Sequence, residues 1–256
     1  MNKESLIRKL LEIFEPISLE KMDRVALLDR TDTKYVLNEN ILQNILPELA
    51  KYYYVLDIDN CRCFDYQSLY FDSPELKFFY EHHCGLANRY KIRYRKYVQS
   101  NLHFFEIKFK NNKGRTIKKR VMTDGIGANL GEKEINLLSS LTPYKASELQ
   151  PSAKIDYARM TLISKNMDER VTIDVNLEAG LDNGMKPAEH LVIVEVKQAK
   201  FNYSSPVNRM LKLRHYLPAS LSKYCWAIMS IHPNIKKNNF KMQIHYMNKV
   251  INKINF

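Results

Sequence analysis

Charged and apolar residues alternate through much of the chain. In "YKIRYRKY" Lys91, Arg93 and Arg95 share one face while Tyr90, Ile92 and Tyr94 take the other, the period of two expected of a β-strand. In "FFEIKFK" Glu106, Lys108 and Lys110 oppose Phe105, Ile107 and Phe109; "TIKKRV" sets Lys118 beside Arg120, and "IDYARMTL" sets Tyr157 beside Arg159. "RVTIDVNL" aligns Arg170, Thr172 and Asp174 against Val171, Ile173 and Val175, and "LVIVEVKQ" sets Glu195 and Lys197 against Val192, Val194 and Val196. Earlier, "ALLDRTDTKYVLNEN" carries Arg30, Asp32 and Lys34 on alternate positions before turning apolar.

Strand-like runs also occur at "FDYQSLYFDS" and within "AKIDYARMTL", with turn signals such as "NNKGR" and "DNGMKP" between strands. Many strands at short spacing point to an antiparallel sheet that closes on itself as a barrel, in preference to a doubly wound sheet. Helical spacing predicts flanking helices. The start, over about residues 3–22, places Leu6, Leu10, Ile13 and Phe14 on a packing face. Asn38 can cap a helix carrying Ile41, Leu42, Ile45 and Leu46, and further helices are predicted in "GEKEINLLSSL" and "SPVNRMLKLRHYL". With 7 glycines, no Ser/Gly/Pro-rich linker and no fixed repeat, the expectation is one α+β domain over 1–256. Its barrel occupies about 26–230, and 231–256 form a mixed polar and apolar tail.

The hydrophobic fraction, 45%, is ordinary for a globular protein. Charge is not: 40 Lys and Arg against 28 Asp and Glu leave +12, a self-repulsion that an anionic partner relieves. The start lacks the continuous apolar run of a signal peptide, and no segment reaches the length of a membrane span. Cys61, Cys63, Cys84 and Cys225 form no CxxC pair, which suggests reduced thiols in a cytoplasmic protein. Any attachment to the inner face of a membrane would come through a partner protein.

A solvated strand face usually mixes acids with bases, whereas these stripes are mainly cationic. Two cations about 6 Å apart at an effective dielectric near 20 repel by roughly 3 kcal/mol, so the pattern favours a polyanion site over a merely wet face. Single-stranded nucleic acid would need aromatics beside the bases. Most aromatics here sit on the opposite parity, which favours a ligand made largely of phosphate and excludes nucleic acid as the expected partner. No GxxxxGK loop is present to hold it.

Taken in order, "RTDTKYVL", "SLYFDSPELKFFYEH", "YKIRYRKY", "EIKFK", "IDYAR", "RVTIDVNL", "VEVK" and "LSKYCWAI" resemble the VTC domain of polyphosphate polymerases, within the triphosphate tunnel (CYTH-like) superfamily, over roughly residues 20–230. The resemblance implies a closed tunnel lined with basic residues, a nucleoside triphosphate and polyphosphate as ligands, and Mn²⁺ or Mg²⁺ as cofactor. By motif it implies catalytic roles for Lys34, Arg93, Arg95, Lys108, Arg159 and Arg170. It implies phosphate binding by Lys118, Arg120, Lys197, Ser222 and Lys223, and metal binding by Glu195. A bland role for Glu195 is as partner to Lys197 or to another lining base. The phosphatase branch opens with E-x-E-x-K, where this chain has Arg30, Asp32 and Lys34, a departure that agrees with the polymerase branch.

The activity so implied is transfer of the γ-phosphate of a nucleoside triphosphate to a growing polyphosphate chain, driven by positioning and charge neutralisation. The alternatives are a triphosphatase of the same fold and a noncatalytic polyphosphate or nucleotide sensor. His82, His83 and His103 are expected in surface or packing roles.

Overall fold

The structure, a computed structural model, describes residues 3–23, 31–113, 115–181 and 184–252; Arg30 lies outside these. In chain order the elements are α1 (Lys3–Glu12), β1 (Pro16–Ile17), α2 (Leu19–Asp23), β2 (Thr31–Asn38), α3 (Leu42–Leu49), β3 (Tyr53–Leu56), β4 (Phe64–Asp72), α4 (Lys77–His83), β5 (Arg89–Tyr97), β6 (Leu102–Lys110) and β7 (Thr116–Thr123). They continue as α5 (Glu132–Leu141), β8 (Gln150–Ser164), β9 (Glu169–Leu181), β10 (Gly184–Pro187), β11 (Leu191–Gln198), α6 (Pro206–Leu213), α7 (Lys223–Ile231) and α8 (Lys241–Ile251). Every strand-like run of the sequence becomes a strand. Among the described residues no helix is long and apolar enough to cross a membrane.

The N-terminal pattern does not form one continuous helix. Pro16, which has no N–H to donate, opens β1 beside β3, and the chain resumes helically only at α2. The buried face of α1 is Ile7 and Leu11, continued by Phe14, while Ile13 is 54% exposed, contrary to the expected face. Asn38 caps as expected: its Oδ1 accepts from the amide of Asn40 at 2.9 Å, and Ile41, Leu42, Ile45 and Leu46 are all buried.

The strands join in the order β2-β11-β9-β8-β4-β5-β6-β7, with β3 and β10 added at the sides of β8 and β9. Pairings along this path are antiparallel. The sheet is not closed into a barrel, in contrast to the sequence expectation. The segment between α6 and α7 takes the outer edge of β2: Ala219 donates to the Lys34 carbonyl at 2.8 Å, and Tyr35 bridges Pro218. At the other end, β7 leaves Lys118, Lys119 and Arg120 exposed, and a charged edge resists further pairing. The sheet curls nonetheless. Register shifts in the long β8, at Asp156/Ala158 against β9 and opposite Tyr70/Phe71 of β4, are of the kind that bends strands and sharpens twist.

One face of the curled sheet is apolar and packs a core that runs from Ile7 to Val250 through Phe71, Ile92, Phe105, Met160, Ile173 and Val194. The other face is a concave trough. Helix α7 packs on β8 and β9 from the trough side: the Tyr224 ring stacks on Tyr70, 5.2 Å between centroids.

The pin for this arrangement is Asp72 at the end of β4, fully buried. Its carboxylate accepts from the amides of Ser73 (2.7 Å), Phe78 (2.8 Å) and Phe79 (3.0 Å) and from the Tyr224 hydroxyl, fastening α4 and α7 to the sheet. Stranding a buried donor costs about 1–3 kcal/mol. Asp72→Ala should therefore destabilise the fold by roughly 3 kcal/mol or more, measured as a lower urea midpoint with unchanged slope; Asp72→Asn should cost less.

Candidate functional site

The cross-strand register carries the charged stripes onto one wall. Lys34 faces Glu195, and Asp32 faces Lys197, across β2 and β11. On the far side of the trough, Lys91 faces Lys108 and Arg93 faces Glu106 across β5 and β6, with Lys118 opposite Lys108 and Arg120 opposite Glu106 on β7. In the floor, Arg159 faces Asp174 and Lys197 faces Arg170.

Three carboxylates organise these cations, Glu106 and Asp174 buried and Glu195 half-buried. Glu106 accepts from Arg93 through Nε (2.9 Å) and Nη2 (2.7 Å), with Lys118 at 2.5 Å and Arg95 at 3.8 Å. Burial would raise its pKa, but Arg93, Arg95 and Lys118 hold it well below the usual carboxylate range. Asp174 takes a two-pronged pair from Arg159, Nε to Oδ1 at 2.6 Å and Nη2 to Oδ2 at 2.8 Å, and a further bond from Lys223. Here too burial is outweighed, and the carboxyl is lowered by Arg159 and Lys223. Glu195 pairs with Lys197 and, at 3.8 Å, with Lys34; against burial, these two lysines hold it below its ordinary value. The pairing with Lys197 is the bland role that the sequence allowed.

A fourth group of cations is less well compensated. Lys91 donates to the Ser222 hydroxyl at 3.0 Å. Its pKa is pushed down to about 7 by burial and by Lys34, Lys108 and Arg89, with Cys225 acting in the opposite sense. Lys108, although exposed on β6, is likewise lowered, by desolvation and by Lys34. Lys34 donates to the Leu221 carbonyl at 3.1 Å. The Ser222 hydroxyl also accepts from the Cys225 amide at 3.3 Å and caps α7.

Two expected site residues stand apart. The Arg170 guanidinium donates to the Met22 carbonyl at 3.1 Å, tying α2 to the start of β9. Arg120 is exposed and stacks over the Phe104 ring at 4.4 Å. The motif resemblance assigns no role to Lys91, Glu106 or Asp174, although all three lie on the stripes. Of the aromatics, Tyr90, Tyr94, Phe105 and Phe109 lie on the core face as expected, and Tyr157 shares the trough with Arg159 as the pattern predicts. Tyr66, Tyr97 and Phe104 share it as well, as register partners of Tyr157, Tyr66 and Arg95 respectively. Arg95 donates to the Tyr157 hydroxyl at 3.2 Å. Burial would raise that phenol, but Arg95, Arg159 and Lys223 lower it.

The Cys225 thiol lies 3.1 Å from His82 Nδ1. Burial pushes the thiol up and, with Lys91 and Arg89, pushes His82 down to about 3. The pair is thus neutral, not a thiolate activated by an imidazolium. All four cysteines are free.

Among the described residues no group of three or more His, Cys, Asp and Glu side chains is placed to hold a metal ion. The donor set does not fit a cage closed by protein ligands. Glu195 is the carboxylate that would serve a hard divalent ion brought in with substrate phosphate, since Mg²⁺ is commonly held by one or two carboxylates together with substrate phosphates.

A solved structure from Hippeastrum, HpAC1, described as an adenylyl cyclase by assignment with a dominant triphosphatase activity, is similar at 12% identity and TM-score 0.50, covering 78% of this chain and 97% of its own. A Bacillus halodurans protein assigned as an adenylate cyclase matches at 10% identity and TM-score 0.45, covering 76% of this chain and 96% of its own. A search of the curated proteins finds no match. The likeness to HpAC1 supports the fold: an antiparallel sheet with flanking helices. The VTC domain profile matches residues 29–232, and on that match the chain belongs to the VTC domain family.

Proposed function

We propose that the chain transfers the γ-phosphate of a nucleoside triphosphate to a polyphosphate acceptor within the trough. The observation that carries this reading is the surplus of cations clustered at half-buried Lys34 and Lys91 and exposed Lys108, continuous with the Arg93 and Arg95 row. Phosphoryl transfer needs mainly positioning and neutralisation of charge on the nonbridging oxygens, and arginine's planar fork suits those oxygens. Arg93, Arg95 and Arg159 clamp the phosphates while Lys34 and Lys108 offset charge on the transferring and leaving groups. Glu106, Asp174 and Glu195 are each ion-paired and held below their usual range, which makes them poor bases for activating water. An acceptor phosphate is already anionic and needs no such base. Glu195 would hold Mn²⁺ or Mg²⁺ against the phosphates, where a divalent ion neutralises charge on their oxygens.

A second reading is hydrolysis of the triphosphate, favoured by the fold shared with HpAC1, which is described with a dominant triphosphatase activity. Incubation with ATP and Mn²⁺ separates the two. Long-chain polyphosphate is the expected product; free phosphate alone would support hydrolysis, and binding without turnover would support a sensor.

Glu195→Gln should abolish metal-dependent turnover while metal-free triphosphate binding persists or tightens, because a counter-charge to Lys34 and Lys197 is removed. Lys34→Ala should lower transfer by about 2.7–4 kcal/mol, as for loss of one transition-state donor. Circular dichroism should remain native in both. Intact metal-dependent turnover in Glu195→Gln would remove the metal assignment.

Lys91 makes binding depend on pH. Its folded-state pKa, about 7, lies below the ordinary 10.5, so between these values the unfolded chain binds more protons and the ligand-free fold gains stability as pH rises. Phosphate favours the charged lysine. Triphosphate affinity should therefore fall as pH rises above about 7, with proton uptake on binding near neutrality. Calorimetry in two buffers of different ionisation enthalpy checks this, and Lys91→Met should abolish the uptake.

A further inference from the structure

The charged row on β5 ends in a ring. Along its trough face the residues run Arg89, Lys91, Arg93, Arg95 and Tyr97, and the neighbouring strands make the same change at the same level. Phe104 is the register partner of Arg95, Leu102 of Tyr97, Met122 of Phe104, and Tyr66 of Tyr97. The rings cluster. Tyr66 and Tyr97 have centroids 5.0 Å apart, Tyr97 and Phe104 5.8 Å, and Arg120 lies over Phe104 at 4.4 Å.

This apolar mouth faces outward: Met122 is 55% and Leu102 42% exposed. Isolated exposed apolar residues need no explanation. Here they adjoin aromatic rings and a guanidinium at one end of a wall otherwise given to cations. The order along β5 is that of a nucleotide, a flat π-surface followed by anion sites at about 6.6 Å intervals, two residues per step.

We infer that this mouth is a stacking platform for the nucleobase of a nucleoside triphosphate, with Phe104, Tyr97 and the Arg120 guanidinium as its surfaces. This rests on the triphosphate reading of the trough and gives it a direction. The base stays at the mouth beside the β5–β6 turn, and the phosphates run inward past Arg95 and Arg93 toward Lys91. Arg120 is thereby a stacking residue, not a phosphate clamp. Aromatic and guanidinium planes both accept a base by stacking, and such stacking tolerates any base because each has a π-face. The site therefore prefers nucleotides over bare triphosphate without strict choice of base.

Calorimetric titration with Mg²⁺-ATP and with Mg²⁺-triphosphate tests this in the wild type, Phe104→Ala, Phe104→Leu and Phe104→Trp. The wild type should bind ATP more tightly than triphosphate. Phe104→Ala and Phe104→Leu should weaken ATP by about tenfold, the order of one lost base stack, and leave triphosphate unchanged. Phe104→Trp should retain ATP binding. Triphosphate serves as the folding control, and Phe104→Leu keeps most of the volume should Phe104→Ala lose both ligands. Unchanged ATP affinity in Phe104→Leu, or equal loss of ATP and triphosphate in that variant, overturns the platform while the triphosphate reading stands. If the wild type binds neither ligand, the triphosphate reading fails and takes the platform with it.

Discussion

Repulsion among the lysines and arginines on one concave wall is the constraint around which the molecule is arranged. A strand can present its cations to bulk water at little cost, but a curled sheet directs them at one another in a partly enclosed space. The fold answers with carboxylates placed at intervals. Glu106 serves the β5–β7 wall, Asp174 the floor, and Glu195 the β2–β11 side. Removing one partner of a buried pair leaves a stranded charge, which is why such networks resist piecemeal change. Around Lys91 this compensation thins, and a half-buried lysine is pushed toward neutrality. That is where a polyanion has most to contribute, since it restores the charged state that burial disfavours.

The helices hold this wall in shape. Asp72 fixes the starts of α4 and α7 through one carboxylate. The preceding 218–222 segment lies along β2, giving its edge a partner and bringing Leu221 and Ser222 to Lys34 and Lys91. One short stretch thus occupies the edge that β7 would need for closure and also supplies polar groups to the cation cluster. A trough with an occupied edge and a charged edge exposes β7, and with it Arg120 and Met122, at the mouth.

Aromatic rings within the trough give the cations a second kind of neighbour. Arg159 lies over Tyr66 and Tyr157, Arg95 over Tyr66, and Arg93 over Tyr70. A guanidinium over a ring has its charge partly offset by the quadrupole, while Glu106 and Asp174 hold the donors of Arg93 and Arg159. The arginines are thereby oriented before any ligand arrives, which lowers the ordering cost of binding.

The residues that share a face were legible from the sequence, because alternation is a local property of an extended backbone and survives whatever the strand pairs with. That parity alone set Lys91 with Arg93 and Arg95, Glu106 with Lys108, and Glu195 with Lys197, and motif order gave the family. Tyr97 and Phe104 share the charged parity as well, a signal that the aromatics of the core parity mask. Tertiary structure decided what no local pattern encodes: which strands neighbour one another, that Pro218 and Ala219 meet β2 so that the sheet stays open, and which cations receive a carboxylate. It sent Arg170 to the Met22 carbonyl and left Lys91 short of counter-charge, since both outcomes depend on pairings between residues distant in the chain. Period two fixes the face of a side chain; only long-range register fixes its neighbours.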